Sequence, residues 1–346
     1  MPSLKEIKGR INSISSTLAI TSAMKMVAAA KLQKAQMAIQ NMLPYERRLH
    51  SMLIDLMGAV NMSAPASEEG SARLVSLSNQ PDHTESEGAY SLMAQRQVHR
   101  VAIVAFASNS SLCGAFNSNV IREATAVINE YRASGLLDSD IVVYSVGRKM
   151  AEAMKKLGFP SPADFTRMSD SPSYDAASAL AQELLDGFVS GRFDKVELVY
   201  NHYKSTSSQP TTRQTYLPLS LADATADLKV GKINDSASES DTNKVTEPVE
   251  APVVRQSSPT AEAPDLIIEP SKEELMEALL PKVVRLRIFT TLLDSAAAEH
   301  AARTVAMQLA TDNGNDLLQE LTLEYNKGRQ QKITSEILDL VGGSMQ

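Results

Sequence analysis

The chain has 346 residues and a formal net charge of −7; 43% of its residues are hydrophobic, 5% are aromatic, and tryptophan is absent. That length supports a substantial core and more than one structural unit, and few aromatics beside 15 methionines suit long packed helices better than a sandwich or barrel. A single cysteine, Cys113, excludes an internal disulfide and a cysteine zinc cluster, and no run of about 18 apolar residues is present to span a bilayer.

The N-terminus, Met1-Pro2-Ser3-Leu4-Lys5, lacks the apolar core of a signal peptide and enters a helical pattern at once. From Leu4 the positions 4, 7, 11, 14, 18, 21, 25, 28, 32, 35, 39, 42, 46, 49, 53 and 56 alternate by three and four, the spacing of a coiled-coil seam. Thirteen of the sixteen are apolar, so residues 1–57 are predicted as one helix with a partner along its length. Thr21, Lys25 and Glu46 interrupt the stripe. Near Met24-Lys25-Met26-Val27-Ala28-Ala29-Ala30-Lys31 either the seam rotates or the side chains meet an outside partner. Pro44 removes one backbone donor, which a long packed helix tolerates at about 3 kcal/mol. The segment is basic, eight Lys and Arg against three Asp and Glu. Aromatic interleaving is absent and the charges are spread around the helix, so no nucleic-acid partner is expected.

Residues 58–97 are rich in Ser, Glu, Gly and Pro and read as a linker that cannot bury enough apolar surface to order itself. Arg100 to Phe106 is a short apolar run typical of a buried strand. A helix from about Asn117 to Ala133, a strand Ile141–Ser145, a helix Arg148–Leu157, a helix Tyr174–Val189 and a strand Lys195–Tyr200 follow, with Thr212–Leu217 as a further strand. This alternation within 98–222 predicts a small doubly wound, Rossmann-like parallel sheet.

The turn Ser110-Ser111-Leu112-Cys113-Gly114-Ala115-Phe116-Asn117 lies after the first strand, where α/β enzymes place phosphate loops or nucleophiles. A phosphate loop wants more glycine or a Gly-Lys-Ser/Thr ending. A Cys113 nucleophile wants a histidine base, and His99, His202 and His300 show no partner pattern. The turn therefore reads as structural, and no cofactor or metal is expected.

Residues 223–265 form a second acidic, Pro- and Ser-rich low-complexity stretch, and Leu266-Ile267-Ile268-Glu269 reads as a short returning strand. Ser271 then precedes Lys272-Glu273-Glu274 in a capping box. Helix formers run to Val341, with Pro281, Gly314 and Gly328 as interior breakers and Gly342-Gly343 as the stop. Such a helix is about 100 Å long. With helices at both ends of the chain and a globular middle to reverse direction, an antiparallel pair is the expected architecture: α/β plus a long coiled coil. The last apolar residues, Ile333, Ile337, Leu338, Leu340 and Val341, then extend past the partner helix and expose an interface.

Glu299-His300-Ala301-Ala302-Arg303-Thr304-Val305-Ala306-Met307-Gln308-Leu309-Ala310-Thr311-Asp312-Asn313-Gly314, followed by Leu321-Thr322-Leu323-Glu324-Tyr325-Asn326, resembles the signature of the gamma subunit of F-type ATP synthase, the central rotor shaft. The Met24–Ala29 segment and the Cys113 turn are similar to that family too, although Ser111 and Ala115 replace two loop glycines and Asn109-Ser110 replace an acidic-basic pair. The resemblance covers about four-fifths of the chain, omitting the two low-complexity stretches. It implies a non-catalytic subunit that turns inside a ring of alpha and beta subunits, with Met24, Lys25, Lys31 and Arg303 facing a beta subunit and the apolar tip in a collar. It also implies a foot at Tyr203, Lys204 and Ser205, near the membrane c-ring and the epsilon subunit, and a peripheral place on the cytoplasmic side of the inner membrane. The alternative is an α/β enzyme with a helical dimerisation arm, its active site at Ser111–Asn117.

Overall fold

The structure is a computed structural model and describes residues 3–62, 90–93, 95–219, 269 and 271–343. Two helices dominate it: α1, Leu4–Met62, and α6, Lys272–Gly343. Both begin on a serine cap. Ser3 Oγ accepts from the Glu6 amide at 3.3 Å and Ser271 Oγ from the Glu274 amide at 3.2 Å, which satisfies amides that have no partner within the helix. Both helices also run through their interior prolines, Pro44 and Pro281. Tertiary packing outweighs one missing hydrogen bond in a helix of this length.

Between them lie β1 (Val101–Phe106), α2 (Phe116–Ala133), β2 (Ile141–Val146), α3 (Arg148–Lys156), α4 (Thr166–Asp170), α5 (Tyr174–Val189), β3 (Lys195–Asn201) and β4 (Thr211–Leu217). The sheet order is β2-β1-β3-β4; β1 pairs parallel with both β2 and β3, and β4 closes the edge antiparallel to β3. β1 is buried along its whole length, and its alternate residues serve two cores. Val101, Ile103 and Ala105 face α2 and α3 through Val120, Ala124, Val127, Met150 and Met154. Ala102, Val104 and Phe106 face α5 and the first turns of α6, where Leu180, Leu184, Phe188, Leu280 and Val284 are buried. The long helix is therefore also one layer of the doubly wound domain. Beyond β2, Gly147 has φ 96, and a Cβ there would lie 2.1 Å from the Ala107 carbonyl oxygen, so the crossing of these two strand ends demands glycine.

Three local features differ from the sequence reading. The first helix continues to Met62, five residues into the stretch expected as linker. Near the other end of that stretch, Tyr90–Met93 forms a 3-10 turn whose Leu92 is 3% exposed in the main core, with its carbonyl accepting from the Leu219 amide at 2.9 Å. Leu92-Met93 is too short a pair to show periodicity, which is why composition concealed it. The short helix α4 also escaped pattern reading. Of the expected strand Leu266–Glu269, residues 266–268 lie outside the described residues, as does all of 223–265.

Candidate functional site

The two long helices form an antiparallel pair whose register can be followed contact by contact. Leu4 packs on Gly328 and Leu18 on Gly314, where an added Cβ would come within 3.1 Å and 2.7 Å of a leucine methyl. Thr21 Oγ1 meets Thr311 Oγ1 at 3.2 Å, Leu32 packs on Ala297 and Ala301, and Glu46 Oε1 accepts from Thr290 Oγ1 at 3.1 Å. The two glycines that look like helix breakers in the sequence are notches that let leucines of α1 approach the α6 backbone. All sixteen seam positions are buried or half-buried. The polar interruptions therefore do not rotate the seam: Thr21 and Glu46 find threonine partners across it. Next to them Met26 and Val27 stand 65% and 58% exposed, with Met24 and Lys25 half-buried and Lys31 exposed.

The carboxyl ends of β1 and β3 meet this pair in a polar joint. On the β3 side, Asp294 of α6 takes His202 Nδ1 on one oxygen at 2.7 Å and the Tyr203 amide on the other at 2.9 Å. The Tyr203 ring packs among Leu32, Ala297 and Ala298, and its hydroxyl accepts from Gln36 Nε2 of α1 at 2.7 Å. On the β1 side, Arg303 donates to the Ser111 carbonyl at 2.7 Å and to Glu299 at 2.6 Å, with both side chains almost fully buried. Of the residues singled out in the sequence, Arg303 is thus engaged within the chain, Tyr203 faces the helix pair, Lys204 is exposed and Ser205 is half-buried.

In an open doubly wound sheet the crevice between β1 and β3 is the ordinary ligand site. Here α6 fills it: Ala298 and Ala302 press on Cys113 and Phe116, and Ala306 lies 3.9 Å from where a Cβ of Gly114 would be. Cys113 is 2% exposed, and its Sγ meets Asn117 Nδ2 at 3.2 Å. A groove of about 410 Å³ remains beside the turn, lined by Cys113, Phe116, Asn119, Gln209, Val305 and Leu309 among others, with no histidine, carboxylate or cation in its walls. The left-handed residues of the turn are Leu112 (φ 68) and Gly114 (φ 59). Ser111 and Ala115 need no glycine, so those two replacements cost the loop nothing. Asn109 is likewise integrated: its side chain bonds the Thr166 carbonyl and the Arg148 amide, and the Arg148 guanidinium donates to the Asn109 carbonyl at 2.6 Å.

Two histidines at the joint titrate in opposite senses. The bond to Asp294 outweighs burial and raises His202 above its ordinary value. Burial, with Lys31 and Arg303 nearby, pushes His300 down to about 4, and its Nδ1 has no hydrogen-bond partner among the described residues. Because the unfolded chain protonates His300 near pH 6.5 and the folded one near 4, stability from this residue is lost as pH falls through that window; His202 adds stability below about 6.5 and loses it as pH rises through its raised value. His300→Gln is therefore expected to gain about 2 kcal/mol over the parent chain between pH 7.5 and pH 5, read from denaturant unfolding at the two pH values.

At the far end, α6 continues past the start of α1. Ile333, Ile337, Leu338 and Leu340 are 47%, 54%, 64% and 75% exposed. Fifteen residues beyond Gly328 amount to about 22 Å of helix without α1 beside it.

A family model described as ATP synthase matches residues 3–345. The chain is 48% identical over 345 residues to the ATP synthase gamma chain of Phocaeicola vulgatus, with all of both chains covered, and 40% identical to that of Parabacteroides distasonis, with 99% of each covered. The chain belongs to the ATP synthase gamma-chain family. Since the relatives are covered end to end, they match it in length across the two low-complexity stretches as well. Among solved structures, the rotor of the Euglena gracilis mitochondrial ATP synthase shares the fold, with a TM-score of 0.53 at 20% identity over 95% of this chain and 98% of that one. No helix among the described residues is long and apolar enough to cross a membrane. The family resemblance pointed to Arg303, the Met24 segment and the stretch around His202 and Tyr203, but not to Asp294 or Gln36. The one available signal was an acid, Asp294, set within the otherwise small and apolar run Leu292–Ala298.

Proposed function

We propose that this gamma-family chain is the central rotor of an F-type ATP synthase, carrying torque between an ion-driven membrane ring and the catalytic beta subunits and performing no chemistry itself. The observation that carries this reading is the end of α6 that runs past the start of α1, where Ile333, Ile337, Leu338 and Leu340 stand exposed with no partner among the described residues. Non-directional apolar contact survives rotation in a way that hydrogen bonds do not, so Ile333, Ile337, Leu338 and Leu340 suit a bearing inside a collar of alpha and beta subunits; the side chain of Val341, expected with them, lies outside the described residues.

Met24, Lys25 and Lys31, beside the exposed Met26 and Val27, supply the contact with a beta subunit. Arg303, with both terminal nitrogens engaged within the chain, serves that surface by holding the Cys113 turn in place. Lys204 and Ser205 mark the foot directed at the c-ring and the epsilon subunit, while Tyr203 beside them is turned to the shaft. The subunit is then peripheral to the membrane, on its cytoplasmic side, the inner membrane where there are two. The enzyme alternative is disfavoured because the shaft fills the crevice an active site would use.

Tagged chain is expected to copurify with alpha, beta and epsilon subunits, and the isolated chain to neither bind nor hydrolyse nucleotide. Turnover by the isolated chain would overturn the reading. Met24→Lys is expected to lower ion pumping per ATP hydrolysed by about tenfold, since a charge in a contact that must form and break adds a desolvation penalty each time. Pumping measured in reconstituted vesicles checks this.

A further inference from the structure

The α/β domain is attached to the rod in two chemically different ways. One face of its sheet lies on α6 through an apolar core that includes Leu280, Val283, Val284 and Leu292, with Leu49, Leu53 and Leu56 of α1 beside them. The apolar part of this contact supplies adhesion that is set by area and has no preferred direction; the directional bonds that cross it, from the Tyr216 hydroxyl to the Val284 carbonyl at 2.9 Å and from Arg285 to Gln182 at 2.5 Å, meet α6 at two adjacent residues. The polar joint differs. Asp294 and Arg303 are nine residues apart on α6, hence about 13 Å along the axis and about two and a half turns around it, which puts their Cα atoms on opposite sides of the helix. The domain grasps Asp294 with the end of β3 and Arg303 with the turn after β1, in each case through short, charge-assisted hydrogen bonds. Forces applied on opposite sides of an axis form a couple, which resists twisting where a single apolar face resists mainly separation. Tyr203 extends the grip to the second helix through Gln36.

We propose that torque passes between the α/β domain and the shaft through this couple, with Asp294 as the positioning residue that locks His202 and Tyr203 to the rod. The inference rests on the rotor reading above and goes beyond it by naming where the domain would slip. Loss of the lock leaves the shaft's upper surface unchanged, so hydrolysis in the head continues while its rotation no longer reaches the foot in full.

The test uses the complete ATP synthase reconstituted in vesicles, with Asp294→Ala, Asp294→Glu and Tyr203→Phe in this chain, comparing ATP hydrolysis with ion pumping. Hydrolysis is expected to stay within about twofold while pumping per ATP falls about fivefold or more in Asp294→Ala, less in Tyr203→Phe, with recovery of at least about half in Asp294→Glu. A purely structural role would lower assembly yield and hydrolysis together and leave pumping per ATP unchanged. That result, or normal pumping in Asp294→Ala, overturns the proposal. A parent complex that hydrolyses ATP without pumping, or lacks this chain, would instead count against the rotor reading itself.

Discussion

Arg213→Met is expected to cost about 2–3 kcal/mol of domain stability, the scale of losing charge-assisted hydrogen bonds to a buried carboxylate that keeps one cationic partner. The partner left behind is Glu197, 1% exposed in the centre of β3. Its carboxylate accepts from Arg213 Nε at 2.7 Å and Nη2 at 3.2 Å, from Lys195 at 2.6 Å and from the Tyr131 hydroxyl at 2.7 Å. Arg213 reaches from β4 and also bonds Glu130 of α2, so one guanidinium ties edge strand, central strand and helix. Burial alone would push the Glu197 carboxyl up; the Arg213, Lys195 and Tyr131 bonds outweigh it and hold it below its ordinary value. That adds stability at neutral pH, lost as pH falls through the depressed value, so the parent domain loses stability towards acid. Urea unfolding of the single variant and of Glu197→Leu with Arg213→Met decides the matter. The double variant is expected to recover part of the loss, because it removes the buried carboxylate with its partner but leaves Lys195 and the Tyr131 hydroxyl without their acceptor.

Ala297→Leu is expected to open the helix pair at the height of the joint, at about 2–3 kcal/mol, the usual cost of forcing extra methylenes into a close-packed site. Ala297 is fully buried against Leu32, with Ala301 one turn on, and half-buried Ala35, Ile39 and Tyr203 around them. The larger side chain has no space that does not belong to Leu32 or Tyr203. Hydrogen exchange should therefore show protection lost in α1 around residues 25–40 and at the β3 end, while amides of β1 and β2 remain protected. The outcome separates close approach as a stiffness device from helix length alone: a rod that tolerates leucine here at no cost does not depend on its small-residue face.

The elements themselves were legible because their signals are local. A three-four alternation over sixteen positions, a serine cap before Glu274 and strand–helix alternation each reflect a backbone period that a short stretch of chain imposes. The antiparallel pair and the parallel part of the sheet follow from those periods, whereas the antiparallel pairing of β4 with β3 at the edge, where a parallel sheet was expected, does not. The joint was not legible in that way. Asp294, Tyr203 and Gln36 come from α6, the end of β3 and α1, up to 258 positions apart in sequence, and no residue carries in its own neighbourhood the information that it will meet the others. The same holds for Gly314 and Gly328, which read as weak points until Leu18 and Leu4 are seen resting on them. Thr21 and Glu46, read as breaks in a seam, prove to be continuous with it once Thr311 and Thr290 stand opposite.

Sequence by itself determined the long helices, the strands and the larger helices between them, which stripe of the first helix is apolar, and, through its motifs, the family. Tertiary structure alone decided that the shaft helix enters the crevice of the sheet and that the domain grips it on opposed sides at Asp294 and Arg303. Periodicity is a property of consecutive residues, whereas a directional contact between distant segments exists only when chain reversal and packing bring donor and acceptor within about 3 Å.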